Sequence, residues 1–216
     1  MARKALVLLS GGLDSATCLY WAKKRFSDIS AITFNYSGRI EREKQATVKL
    51  ARGAGVSRII EIDLPFMKEA SDFFNGKLKR TKGAVPSSYV PARNMMFYSI
   101  AAYHAEFLGV DSIIGGHNSH DVDFFKDSSK RYINKINSLL REGCLLCDGR
   151  TYRVILPLAE MKRKEIIRLA LKLNTPIELT WSCHNDGRVQ CGKCYACRQR
   201  LEAFSSLGIF DPAFPK

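Results

Sequence analysis

Six residues near the start of the chain, Ser10-Gly11-Gly12-Leu13-Asp14-Ser15, set the terms for the rest. Before them, Lys4-Ala5-Leu6-Val7-Leu8-Leu9 is a short apolar run suited to a buried strand. After them, Ala16 to Arg25 reads as a helix, with Leu19 and Trp21-Ala22 available for an apolar face. Strand, glycine turn and helix start, in that order, make an anion site. The glycines let backbone approach a phosphate, and the helix start offers free N–H groups and the positive end of its dipole. Ser10 and Ser15 add hydroxyl donors, and Asp14 can hold a metal or a ribose. The plain alternative is a strand-to-helix turn capped by Asp and Ser. No lysine closes the loop as in a Walker A sequence, and no Gly-x-Gly-x-x-Gly is present.

The stretch resembles the PP-loop, Ser-Gly-Gly-x-Asp-Ser, of the ATP pyrophosphatases, which cleave ATP between the α and β phosphates and hand AMP to a substrate oxygen. Downstream, Ile29–Phe34 reads as a second strand, Glu41–Ala54 as a charged helix and Ser57–Ile62 as a third strand. Residues 66–90 are irregular and hold Gly76, Gly83 and Pro86, a length that suits a functional loop. Pro91 precedes a helix over Ala92–Leu108, and Asp111–Ile114 is a fourth strand running into Gly115-Gly116-His117-Asn118. A helix over Tyr132–Arg141, a fifth strand over Arg153–Leu158 and a helix over Arg163–Leu173 follow. The alternation predicts an α/β fold with a doubly wound, mainly parallel sheet and its sites at the carboxyl ends of the strands. Residues 1–180 are expected to form the ATP-binding α/β domain, and residues 181–216 a zinc-binding segment packed on it.

The chain has a net charge of +13 spread along its length, a field that favours anionic partners without choosing between nucleotide and nucleic acid. No run of about 18 apolar residues or secretory pattern is present, so a cytoplasmic protein without membrane contact is expected. Of seven cysteines, four crowd into C-x7-C-x2-C-x2-C: Cys183, Cys191, Cys194 and Cys197. Four thiolates closing short loops suit a structural tetrahedral zinc, with iron–sulfur ligation as the competing reading. His184 reads as adjacent to that set, Cys144 and Cys147 as core or loop thiols, and Cys18 as core packing. His117 and His120 read as solvated loop histidines.

A PP-loop followed by this cysteine pattern resembles the 7-cyano-7-deazaguanine synthase family over nearly the whole chain. Val90-Pro91-Ala92-Arg93-Asn94 is similar to the family's Val-Pro-x-Arg-Asn. Asn118, Asp121, Phe125, Asp127 and Tyr132 fall at the spacing of its Asn-x-x-Asp segment. Thr180-Trp181-Ser182-Cys183, Cys191-Gly192-Lys193-Cys194 and Asp211-Pro212 match its end. Tyr36-Ser37-Gly38-Arg39-Ile40 lacks the family's Gln and His, Lys126 stands where proline is usual, and Ser128-Ser129 replaces Cys-Arg, a variant similar to the archaeal branch.

The resemblance implies an adenine nucleotide alpha hydrolase-like fold and ATP held by Leu9, Ser10, Gly11, Gly12, Leu13, Asp14, Ser15, Ala16, Thr17, Cys18 and Leu19 with Mg²⁺. It implies catalytic roles for Asp14, Arg93 and Asp121, and substrate contacts from Tyr36, Arg39, Arg93, Asn94, Asn118, Asp121 and Asp127. It implies Zn²⁺ on the four cysteines and a homodimer without direct nucleic-acid contact. The implied reaction adenylates 7-carboxy-7-deazaguanine, lets ammonia displace AMP, and dehydrates the amide to the nitrile with a second ATP. At this length no glutaminase domain fits beside the synthetase, so ammonia is expected from solution. The alternatives are a PP-loop enzyme of tRNA thiolation or lysidine formation, an amidating synthetase for another acid, and a non-enzymatic zinc module binding nucleic acid.

Overall fold

The first apolar run becomes the centre of a sheet because it is apolar on both faces, as a strand covered on two sides must be. The structure, a computed structural model, describes residues 3–69, 89–143 and 152–214. Most of the irregular stretch expected over residues 66–90 lies outside them, as do Cys144 and Cys147. Strands β1 (Lys4–Leu8), β2 (Asp28–Asn35), β3 (Arg58–Asp63), β4 (Ser112–Ile114) and β5 (Arg153–Ile155) form one sheet in the order β3-β2-β1-β4-β5. Every neighbouring pair is parallel. The fold is therefore the doubly wound α/β architecture expected. The chain winds outward from β1 in one direction through β2 and β3, then returns to β1's other edge for β4 and β5. That reversal opens a crevice at the carboxyl ends of β1 and β4, where such sheets bind ligands.

Alternation along the strands decides which helix covers which face. Ala5, Val7, Ile29 and Ala31 face α1 (Leu13–Lys23), α2 (Glu41–Ala54) and α6 (Arg163–Lys172), packing with Leu19, Leu50 and Ile166. Leu6, Ile32 and Phe34 face α3 (Arg93–Leu108) and α5 (Lys130–Gly143), packing with Tyr98, Ala101, Ala105 and Ile133, while the short α4 (Asp121–Phe124) lies between those helices in the chain. Cys18 is buried in the first core, its thiol donating to the Gly115 carbonyl at 3.5 Å. Strand β5 stops before Pro157, short of the expected Leu158, because proline has no N–H for the ladder. Helix α1 starts at Leu13 rather than Ala16, since Gly12 is extended (φ −78°, ψ 165°) and serves as its N-cap. Asp14 and Ser15 thereby fall in the first helical turn.

The C-terminal helix α7 (Tyr195–Ser205) docks Ala203 and Phe204 on Ile167 and Ala170 of α6. A buried ion pair locks this arrangement. Arg200 Nε and Nη2 donate to the two carboxylate oxygens of Asp211 at 2.6 and 3.0 Å. Its Nη1 donates to Thr180 Oγ1 at 2.8 Å and Ser182 Oγ at 3.0 Å. Breaking one side of such a buried pair costs roughly 3–5 kcal/mol, because the other charge stays buried without a partner. Among the described residues, no helix is long and apolar enough to cross a membrane.

Candidate active site

The glycine turn is fixed from three sides. Gly11 has φ +92°, which favours glycine, and a Cβ there would collide with the Glu43 carbonyl of α2. The Gly11 carbonyl accepts the Trp181 N–H at 2.9 Å, so the segment leading to the cysteines buttresses the loop. Within the turn, Ser15 Oγ donates to the Gly12 carbonyl at 3.0 Å and accepts the Ser10 N–H at 3.2 Å. Gly116 presses from β4's side, where a Cβ would lie 3.3 Å from Ser15 N. The start of α1 is thus held open toward a cavity of about 400 Å³ at the β1/β4 crevice.

Asp14 is the charge at that opening. Asn118 Nδ2 donates to its Oδ2 at 2.7 Å, while Asn118 Oδ1 accepts the N–H groups of His120 and Asp121 at 2.8 and 3.3 Å. The Asn118 N–H in turn donates to Asp121 Oδ2 at 3.0 Å. Asn118 therefore clamps Asp14 to the loop after β4, with Asp121 bound into the same knot. Burial, then the charge of Asp121, raises the Asp14 carboxyl to about 6, against the pull of Arg163 and the Asn118 hydrogen bond. The native state then binds more protons than the unfolded chain between about pH 4 and 6, so stability falls as pH rises through that window and stays low above it. Asp14→Asn removes the effect. It is expected to raise stability by roughly 1–3 kcal/mol at pH 8 and to leave it nearly unchanged at pH 4. Thermal melts of the two proteins at both pH values check this; an equal gain at both would refute the ionic cause.

Of the residues expected at the site, Leu9, Ser10, Gly12, Leu13, Asp14 and Ser15 line the cavity. Tyr36, Arg39, Arg93 and Asn94 line it too. Gly11 shapes the loop from behind, and Ala16, Thr17, Cys18 and Leu19 are wholly buried in the body of α1. Asn118 and Asp121 act on Asp14 from just outside the wall. Asp127 lies in a 3-10 turn over Lys126–Ser128, close enough for its charge to act on His117 and Tyr98. Arg39 is a brace: it donates to Thr33 Oγ1 at 2.7 Å, Thr47 Oγ1 at 3.0 Å and the Phe34 carbonyl at 2.5 Å. Arg93 opens α3 directly after Ala92, a non-glycine residue at φ 54°, and stands over the Phe125 ring at 5.7 Å. Strained backbone of this kind gathers at functional sites.

The wall also contains groups that sequence reasoning passed over. His117 is enclosed rather than solvated, and burial, partly opposed by Asp121 at 4.0 Å, lowers its basicity. Glu43 faces the cavity with its carboxyl raised to about 7 by burial. Arg163, Trp181, His184 and Arg200 arrive from the last third of the chain. Phe34 and Phe97 stack at 4.1 Å and line an aromatic side. The Tyr98 hydroxyl is buried without a hydrogen-bond partner among the described residues and fills the space where a Cβ of Gly115 would stand, so that position requires glycine.

The four cysteine sulfurs lie within 4.8 Å of one another, a group that could hold a metal ion. Cys183 Sγ accepts the Asn185 and Cys191 N–H groups, both at 3.4 Å. Cys191 Sγ accepts those of Lys193 at 3.4 Å and Cys194 at 3.3 Å. N–H donors of this kind stabilise thiolate, the form that ligates metal. Helix α7 starts right after Cys194, so Cys197 sits in its first turn. His184 stands outside the cluster, on the cavity wall.

A model of the queuosine biosynthesis protein QueC family matches residues 4–208. A 7-cyano-7-deazaguanine synthase of Thermoplasma volcanium is 34% identical over 98% of this chain and 90% of that protein. The enzyme of the same name from Thermoplasma acidophilum is 37% identical over 97% of this chain and 91% of that protein. Among solved structures, NMN synthetase from Francisella tularensis superposes with a TM-score of 0.50 at 16% identity, covering 97% of this chain and 79% of that one. This last likeness is one of fold.

Proposed function

The chain belongs to the queuosine biosynthesis protein QueC family, and from that premise we propose a residue-level account of how it makes 7-cyano-7-deazaguanine from 7-carboxy-7-deazaguanine, ammonia and ATP. The observation that carries it is Asp14 in the first turn of α1, clamped by Asn118 at the open end of a glycine loop.

Carboxylate oxygen leaves badly, so the acid must first be activated. A carboxylate oxygen attacks the α-phosphorus and the bond to the β-phosphate breaks. Pyrophosphate departs toward the loop of Ser10, Gly11, Gly12 and Ser15, where the start of α1 and its helix dipole stabilise its charge. Ammonia adds to the acyl carbon, gives up a proton, and AMP leaves the amide. The amide oxygen then attacks the α-phosphorus of a second ATP and releases pyrophosphate; loss of both N–H protons and of AMP yields the nitrile. Glu43 and a neutral His117 line the cavity and can accept those protons near neutral pH. Asp14 offers a hard oxygen ligand suited to Mg²⁺, which supplies charge neutralisation for the phosphates when bound. Arg93 and Asn94, with Asp121 and Asp127 behind them, serve the deazaguanine side, and Tyr36 with the aromatic wall serves a flat heterocycle.

We assign Zn²⁺ to the four cysteines. Sulfurs around one zinc at about 2.3 Å stand roughly 3.8 Å apart, and Cys191 and Cys197 lie at 3.9 Å. Four thiolates leave no open position, which makes the zinc structural. Residues 181–216 then form a metal-held segment on the α/β domain of residues 1–180. The partners are small molecules, and a second copy of the chain is the proposed mate of α3, whose outer face exposes Met95, Tyr103 and Phe107 among the described residues.

Incubation with ATP, Mg²⁺, ammonium and 7-carboxy-7-deazaguanine, read by mass spectrometry, should give the nitrile with AMP. The 7-amide without ammonium should also give nitrile and consume ATP. An inert amide would rule out the two-stage route.

A further inference from the structure

The glycine loop has no lysine of its own, yet breaking the α–β phosphate bond puts growing negative charge beside Asp14. A cation from elsewhere must meet it. Among the described residues four arginines line the cavity, and two are tied down by hydrogen bonds. Arg200 is neutralised by both carboxylate oxygens of Asp211. Arg39 is spent on β2, Thr47 and the Ser10 carbonyl at 3.4 Å. Arg93 lies over Phe125, and its charge acts on His117. Arg163 differs: its Nε, like that of Arg39, is buried with no acceptor among the described residues, but the rest of its guanidinium makes no hydrogen bond or ion pair with them either. A buried guanidinium N–H without an acceptor is costly and calls for an explanation.

Its mounting supplies one. Arg163 is the first residue of α6, whose start is held by the Lys162 N–H donating to Glu165 Oε2 at 2.7 Å. From there it shares the cavity wall with Ser10 and Ser15, near enough for its charge to act on Asp14. We infer that Arg163 is a binding residue for the pyrophosphate half of ATP, its buried Nε–H reserved for a phosphate oxygen and its charge standing in for the lysine the loop lacks. Arg93, over the Phe125 ring, is left for the carboxylate of the second substrate. The planar fork of a guanidinium suits phosphate oxygens, which favours arginine over a point charge here.

This inference rests on the synthase reading, but its test does not need turnover. Binding of inorganic pyrophosphate with Mg²⁺ to the full chain is measured by calorimetry for the native protein, Arg163→Gln and Arg163→Lys. Arg163→Gln should weaken pyrophosphate binding roughly 10- to 100-fold, and Arg163→Lys should lie between it and the native protein. AMP binding should change less than about threefold in both, since the effect of a charge-assisted contact is local. A merely structural arginine would instead weaken both ligands together or lower the melting temperature of both variants. Pyrophosphate affinity in Arg163→Gln within about twofold of native overturns the inference, as does a native protein that does not bind pyrophosphate. If Arg163→Gln does not fold, native-like pyrophosphate affinity in Arg163→Lys overturns it, because the Nε–H is lost there too. Arg163-dependent pyrophosphate binding in a protein that makes no nitrile would support the inference and sink the synthase reading alone.

Discussion

Asp14→Ala is expected to lower AMP and nitrile formation by roughly a thousandfold while the protein stays folded. Two properties of the position set these directions. Asp14 is the carboxylate in the first turn of α1 and lies on the cavity wall. Its removal deletes the hard oxygen ligand from the place where phosphates and their cation must sit. Yet burial and Asp121 oppose its ionisation, so losing the charge relieves the fold instead of weakening it. Asn118 Nδ2 then loses its acceptor, but its Oδ1 still holds the His120 and Asp121 N–H groups, so the loop after β4 keeps its place and the core stays closed. Single-turnover AMP release together with a melting curve separates the two effects. Near-native turnover would remove Asp14 from the mechanism.

The second large effect should come from the other end of the chain. In Cys191→Ser, metal content should fall from about one per chain to near zero, and the melting temperature by roughly 5–10 °C. The segment around the cysteines has little else to hold it: beyond the sulfurs, its small cluster holds Trp181, Leu201, Ala213 and Phe214. Activity should then fall because Trp181 braces Gly11 and Arg200 holds Thr180 and Ser182. Metal analysis and melting are read first, turnover afterwards. Iron with visible absorbance in the native protein would replace zinc with an iron–sulfur centre.

What the sequence makes legible here is what is local. Strand, glycine turn and helix start are contiguous, so Ser10 to Ser15 carry their own context. The cysteine spacing does the same for the metal cluster. Asn118 was also reachable, because it follows a strand predicted to end at the ligand-binding edge of the sheet. Glu43, Arg163 and Arg200 were not, since each sits in a helix and looks like any surface charge until tertiary structure brings it to the cavity. For Arg163 a faint signal existed: it begins the helix after β5, at the same carboxyl edge. The enclosure of His117 depends on Tyr98 and Asp121, neither adjacent to it in the chain, so no local signal reports it. The start of α1 at Leu13 is not legible either, because propensity does not reveal that Gly12 is its cap.

The hydrogen bond from the Trp181 N–H to the Gly11 carbonyl joins two segments that are far apart in the chain. The glycine turn therefore does not reach its braced form until the segment leading to the cysteines has docked on it, so the shape of the loop at one end of the chain reports on the folding of the other.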